Sequence, residues 1–143
     1  MPYRYIPDIA IADVAFEAWA ETLEELFLAA ADATMNVMVG DLATIADSET
    51  RVLELSDEHV DMLLFQLLQE LIFFKDADRL LLRVKIIEIR KLQGLYVLKA
   101  EARGEELDPD RHDLVVDVKA VTLHRFRVEA TEEGWEAAVI LDI

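Results

Sequence analysis

The chain ends on an apolar run instead of a polar tail, and this run limits the fold more than any other feature. The last five residues read Val139-Ile140-Leu141-Asp142-Ile143, so apolar side chains surround a single aspartate. Such a run is typical of a core strand, and we therefore expect the terminus to be held within a sheet and not to fray. Asp142 would then lie beside a fixed terminal carboxylate.

A second strand that begins with an aspartate lies near the other end of the chain. After Asp13, the apolar side chains of Val14, Phe16 and Ala18 alternate with Ala15, Glu17 and Trp19, which is the period of a half-buried strand. If the two strands are neighbours, Asp13, Asp142 and the carboxylate of Ile143 converge. Oxygen ligands of this kind favour Ca²⁺ or Mg²⁺ over zinc. The alternative is that both aspartates are ordinary solvent-facing residues of an acidic protein.

Two helices are predicted between these strands. The first begins at Thr22 and Glu25, which have capping-box spacing, and its helical apolar pattern runs to about Val39. The second is expected to begin at the cap Ser56 and to break at residues 75–78. Its apolar face is wider than a usual stripe. This breadth predicts either burial of the helix or a contact with a partner.

The remaining strands follow one another closely and define the fold class. The pair Gln93-Gly94 predicts a hairpin turn. The predicted strands flanking it and elsewhere are residues 51–55, 80–89, 95–102, 118–128 and 135–143. The order of elements predicts an α+β fold in which two helices pack on one face of a mostly antiparallel β-sheet. Because no linker interrupts the pattern, residues 1–143 are predicted to form a single domain.

Composition excludes several classes of function. The chain has 14 Lys and Arg against 30 Asp and Glu, a formal charge of −16 that repels phosphate and argues against broad nucleic-acid binding. The charge suits a cation or a basic protein partner. The absence of cysteine excludes thiolate nucleophiles and thiolate metal sites, and no nucleophile elbow or phosphate-binding loop is present. Without a membrane-length apolar run or a targeting pattern, we expect a cytoplasmic protein that does not enter membranes.

A lone cation and two imidazoles form a candidate docking group. Lys119 lies between apolar neighbours, and His112 and His124 flank it in sequence. Neither histidine belongs to a metal-binding spacing. The three side chains could contact a partner. The alternatives are local hydrogen bonds for the histidines and an ion pair between Lys119 and a nearby carboxylate.

Four blocks of the sequence, taken in order, resemble the archease family. They are Ala12-Asp13 with the strand that follows, Thr22-Leu23-Glu24-Glu25-Leu26-Phe27, Val118-Lys119-Ala120-Val121-Thr122-Leu123-His124, and the ending Val139-Ile140-Leu141-Asp142-Ile143. The likeness extends along essentially the whole chain, which reads as one archease-like domain. The family's early motif commonly reads acid-His-Thr-Ala-Asp, whereas residues 7–13 here read Pro-Asp-Ile-Ala-Ile-Ala-Asp. The aspartate is kept, but hydrogen bonds from the missing His and Thr are lost.

The resemblance implies an accessory protein and not an enzyme. Archeases promote guanylylation of the active-site histidine of an RtcB-type RNA ligase in tRNA splicing and RNA repair, and they allow multiple turnover. GTP is used by the ligase and is not expected to bind this chain. By resemblance, a divalent metal, usually Ca²⁺, is bound by Asp13, Asp142 and Ile143. The competing interpretation is a general protein-binding or chaperone-like adaptor with no specific ligase partner, and the sequence leaves the oligomeric state open.

Overall fold

The computed structural model describes residues 2–7 and 13–143 and contains two β-sheets and two α-helices. The strands, in chain order, are β1 Tyr3–Ile6, β2 Asp13–Ala20, β3 Glu49–Asp57, β4 Leu80–Leu92, β5 Leu95–Glu106, β6 Ala120–Thr131 and β7 Gly134–Asp142. The helices are α1 Leu23–Met38 and α2 Val60–Asp78, with a 3₁₀ turn at Leu42–Thr44. Most of the early motif, residues 8–12, lies outside the described residues.

The strands divide between two antiparallel sheets. The first sheet has the order β1-β2-β7-β6, and the second has the order β3-β5-β4. Each helix contacts strands of both sheets, so the helices share one core with both. The predicted α+β class with two helices and antiparallel strands is confirmed. The division into two sheets is additional to the prediction.

Helix α1 begins where the sequence predicts. The Thr22 hydroxyl accepts a hydrogen bond from the backbone N–H of Glu25 at 3.1 Å, which satisfies one of the free donors at the helix start. The helix ends at Met38 because Val39 turns to extended backbone. Buried residues occupy most of its circumference, and many are alanines, whose small side chains allow close packing.

Helix α2 begins later than the sequence suggests. The prediction that Ser56 caps it is wrong, since Ser56 belongs to β3 and lies opposite Val97 of β5. The residue that precedes the helix is His59, which makes no side-chain capping bond. At the other end, the helix continues to Asp78, and Arg79 adopts left-handed backbone with φ of 56°. The leucines of α2 are buried, so the helix belongs to the core.

Two glycines meet different requirements in the β4–β5 hairpin. Gln93 and Gly94 both have positive φ, 53° and 78°, as a two-residue hairpin turn of type I′ demands. The predicted hairpin is therefore confirmed. Gly104 instead permits a close approach between strands, because a Cβ atom there would lie 1.7 Å from the carbonyl oxygen of Leu81.

Candidate functional site

The two aspartates at the ends of the chain lie on neighbouring strands. β2 and β7 pair at the centre of the first sheet, with Asp13 directly opposite Asp142. Residues in such a pair point to the same face, with their Cβ atoms about 4.5–5.5 Å apart. Their strand neighbours Val14 and Leu141 pack into the core, so the aspartates face away from the helices. The adjacency that a shared site requires is therefore present.

The donor set fits a hard cation. No ion pair within residues 2–7 and 13–143 involves Asp13 or Asp142, and both residues are partly buried. Like charges placed directly opposite one another repel, and a cation would offset that repulsion. The described part of the chain holds no cluster of three or more metal-ligating side chains. A site here needs the terminal carboxylate of Ile143 as its third oxygen group.

Lys119 and Thr122 lie on the β6 side of this aspartate pair. The backbone N–H of Lys119 donates to the carbonyl of Asp142 at 2.8 Å, and the Lys119 side chain is exposed. Thr122 lies on the same face as Asp142, one side-chain row along the sheet, or about 7 Å. Its hydroxyl oxygen is buried without a hydrogen-bond partner among the described residues. Thr122 is therefore a polar group without a partner in the described part of the chain, two residues along β6 from Ala120, which lies opposite Asp142.

His124 lies on an irregular part of the edge strand. Residues 123–126 of β6 leave the regular pairing with β7, and Arg125 adopts positive φ of 54°. The ring of Phe126 packs edge-on against Phe65 of α2, with centroids 5.7 Å apart, and this contact anchors the bulge to the helix. His124 is exposed on it, so its side chain is accessible to a partner.

His112 is buried within the fold, and it therefore does not belong to the predicted docking group. The residue is 3% exposed; its Nδ1 accepts the N–H of Asp108 at 2.9 Å, and its Nε2 lies 3.0 Å from Glu105. Glu105 also binds Arg111 and the N–H of Ala46. The pKa of Glu105 is lowered, mainly by the Ala46 N–H and then by His112 and Arg111. His112 therefore holds the loop after β5 and offers no surface for docking.

A groove continues along the same face from the aspartate pair. It has a volume of about 470 Å³, and its lining includes Ile6, Ala15, Arg125, Arg127 and Ile140. Ala15 lies opposite Ile140 in the register, two residues from the Asp13–Asp142 pair. A partner that reached the carboxylates along the sheet would therefore meet an apolar floor, two arginines and the carboxylate of Glu17.

Sequence reasoning missed Lys75, which is buried near the same end of the first sheet. Its ammonium group hydrogen-bonds the carbonyl of Val118 at 2.8 Å and pairs with Asp117. A signal was available, because Lys75 follows the buried Leu71 by four residues and so lies on the buried face of α2. Its partners in the segment before β6 could not be read from that spacing.

None of the described helices has the length and hydropathy needed to cross a membrane.

Comparison with known proteins places this architecture in a family. A sequence model of the Archease protein family matches residues 3–143. The chain is 35% identical to the archease of Pyrococcus abyssi over 133 residues, which cover 92% of this chain and 93% of the other. It is 34% identical to the archease of Methanopyrus kandleri over 144 residues, with both chains fully covered.

Solved structures agree with the observed fold. The solution structure of a Methanobacterium thermoautotrophicum protein superimposes with a TM-score of 0.85 at 32% identity, covering 99% of both chains. A crystal structure of a Thermotoga maritima archease, described as a possible chaperone, gives a TM-score of 0.61 at 19% identity over 96% of both chains, a likeness of fold alone. Since the family match spans nearly the whole sequence and relatives above 30% identity cover it end to end, the chain belongs to the archease family.

Proposed function

We propose that this chain activates an RtcB-type RNA ligase by promoting guanylylation of the ligase histidine and repeated turnover. The observation that carries the proposal is the register of β2 and β7, which sets Asp13 opposite Asp142 next to the chain terminus. In the proposal, Asp13, Asp142 and Ile143 hold a divalent metal, with Ca²⁺ the best fit to three oxygen groups. GTP is consumed by the ligase, and the setting is cytoplasmic tRNA splicing and RNA repair.

The site's own residues would act by orienting the partner. When bound, a divalent ion supplies a positive centre with free coordination positions for oxygen ligands. The exposed side chain of Lys119 would contact the partner, and the N–H of the same residue holds the Asp142 carbonyl. His124 extends the contact surface on the bulge. The acidic remainder of the chain, with a net charge of −16, favours approach to a basic cleft.

The test is single-turnover labelling of the cognate ligase with GTP. We expect wild-type chain to accelerate formation of the guanylylated ligase, and Asp13→Asn and Asp142→Asn each to remove most of that acceleration. Glu54→Gln is the matched control, because it makes the same change of charge on β3 of the second sheet, away from the groove beside the aspartate pair. Equal stimulation by wild type and both aspartate variants would exclude a role for the carboxylates.

A chaperone-like adaptor is the second candidate, and one feature favours it. The segment before β6 exposes three consecutive apolar side chains, Leu114, Val115 and Val116, at 39%, 59% and 40%. Such a strip can contact unfolded chains. Helix α2 is a poorer candidate for that role than its sequence suggests, since its leucines are buried. Suppression of aggregation of several unrelated unfolded proteins, without acceleration of the ligase, would select this function.

A further inference from the structure

Lys75 is a buried cation whose partners lie outside its own helix as well as within it. The residue is 6% exposed. Its Nζ atom donates to the carbonyl of Val118 at 2.8 Å, pairs with Asp117, and lies 2.6 Å from Asp76. Burial of an ammonium is costly unless its charge and its three N–H groups are satisfied. Three oxygens meet that need here, and two of them belong to the segment before β6.

That segment depends on few bonds for its conformation. Residues 115–119 form neither helix nor strand. Val115 donates its N–H to the carbonyl of Met38 at 2.9 Å, and Lys119 donates its N–H to the carbonyl of Asp142 at 2.8 Å. The bonds from Lys75 fall between these two attachments, at residues 117 and 118. The buried ammonium therefore fixes the part of the segment that leads directly to Lys119.

We propose that Lys75 is a positioning residue of the candidate site. By holding the carbonyl of Val118, it sets the next residue, Lys119, so that the Lys119 N–H reaches the carbonyl of Asp142. Lys75 itself touches neither Asp13 nor Ile143 in this role. The part that concerns metal affinity rests on the proposed function, and the part that concerns the Lys119–Asp142 bond does not.

The first test is amide hydrogen exchange measured by NMR on the full chain carrying Lys75→Met. We expect the Lys119 amide to exchange at least about tenfold faster than in wild type after correction for global stability, with Val139 in the middle of β7 as the internal reference. Asp76→Asn is a matched control because it leaves the bond to Val118 in place. Lys85→Met is a second control, since it removes a partly exposed lysine that pairs with Asp47 elsewhere. If Lys75→Met changes Lys119 and Val139 by the same factor, Lys75 contributes stability alone and the proposal is overturned.

The second test is Ca²⁺ affinity measured by calorimetry at a temperature at which each variant is folded. Loss of a group that orients metal ligands costs about 10–100-fold in affinity, so we expect the Kd of Lys75→Met to rise by that factor. Asp76→Asn should stay within about twofold of wild type on the same reasoning. An unchanged Kd in Lys75→Met, with measurable binding by wild type, would contradict the proposal.

The outcomes separate this proposal from the proposed function. If wild type binds no Ca²⁺, the metal site fails, and the exchange rate of the Lys119 amide alone decides the role of Lys75. Should Lys75→Met fail to fold, Lys75→Gln replaces it, because the amide side chain stays polar but is too short to reach the Val118 carbonyl. The same exchange criterion then applies to the glutamine variant.

Discussion

Replacing Asp13 with asparagine should change stability in opposite directions with and without Ca²⁺. Asp13 faces Asp142 across a strand pair, and neither forms an ion pair among the described residues. In the absence of metal, the substitution removes one of two like charges at close range. With metal present, the same substitution removes a ligand. The same substitution should therefore stabilise the fold in chelator and destabilise it, relative to wild type, in Ca²⁺.

The expected magnitudes follow from the geometry. Removing one charge of a directly opposed like-charge pair stabilises the fold by about 0.2–1 kcal/mol. In chelator, the free energy of unfolding of Asp13→Asn should therefore exceed that of wild type by up to about 1 kcal/mol. A ligand at 100 times its Kd stabilises the folded state by about 2.7 kcal/mol. For a domain of this size that gain raises Tm by about 5–11 °C. Wild type should show this rise, and Asp13→Asn should show little of it.

The assay is a thermal melt of both proteins in chelator and in saturating Ca²⁺, followed by circular dichroism. Glu17→Gln is the control, because it makes the same change of charge on the same strand and face. Its loss of the exposed pair with Arg4 costs at most about 1 kcal/mol and should leave the Ca²⁺ response of wild type intact. No gain in Tm of wild type with Ca²⁺, or an equal gain in Asp13→Asn, would contradict a metal site at Asp13.

Four further substitutions test contacts of the second sheet. Gly104→Ala should lower the free energy of unfolding by at least about 3 kcal/mol in urea titrations, because its Cβ would lie 1.7 Å from a backbone carbonyl oxygen. Gly94→Ala is the control, since it has open space around its Cβ and should cost only about 1–2 kcal/mol from its positive φ. Because the pKa of Glu105 is lowered in the folded state, its contribution to the free energy of unfolding is present above the ordinary glutamate pKa and is lost as pH falls through the lowered value. Glu105→Gln should therefore be less stable than wild type at neutral pH, and the difference between their urea midpoints should disappear in acid. Arg83→Met should cost about 1–3 kcal/mol in the same titration, because Arg83 makes two hydrogen bonds of 3.1 and 3.0 Å to Asp32 that join β4 to α1, and an unchanged midpoint would contradict that role.

Features with local causes could be predicted from the sequence. Thr22 caps α1 because its hydroxyl needs only a backbone N–H three residues away. The Gln93-Gly94 turn likewise depends on the backbone preferences of two adjacent residues. Ser56 also has a local capping signal, a hydroxyl followed by Asp57 and Glu58, yet pairing with β5 places it in a strand. Pairing with a distant strand, which the local sequence does not reveal, outweighed the local preference for a helix start.

Features that depend on distant partners could be predicted only as conditions. Alternation around Asp13 predicts a strand, but it cannot show that the strand pairs with β7 at the opposite end of the chain. The buried position of Lys75 follows from helical spacing, whereas its acceptor, Val118, lies 43 residues further along. His112 was misplaced for the same reason, because Glu105 and Asp108 enclose its ring only once the loop has folded. Spacing identifies the face of an element and leaves open what covers that face.

The position of Asp142 explains how metal binding and the Lys119 contact would reinforce each other. β7 is a central strand with β2 on one side and β6 on the other, and Asp142 is its last residue. On one side its carboxylate faces that of Asp13, and on the other its carbonyl accepts the N–H of Lys119. An ion bound by both carboxylates would fix the end of β7, and with it the carbonyl that accepts the Lys119 N–H. Because coupling between two sites is reciprocal, a group that fixes Lys119, as proposed for Lys75, would then favour binding of the ion by the same free energy.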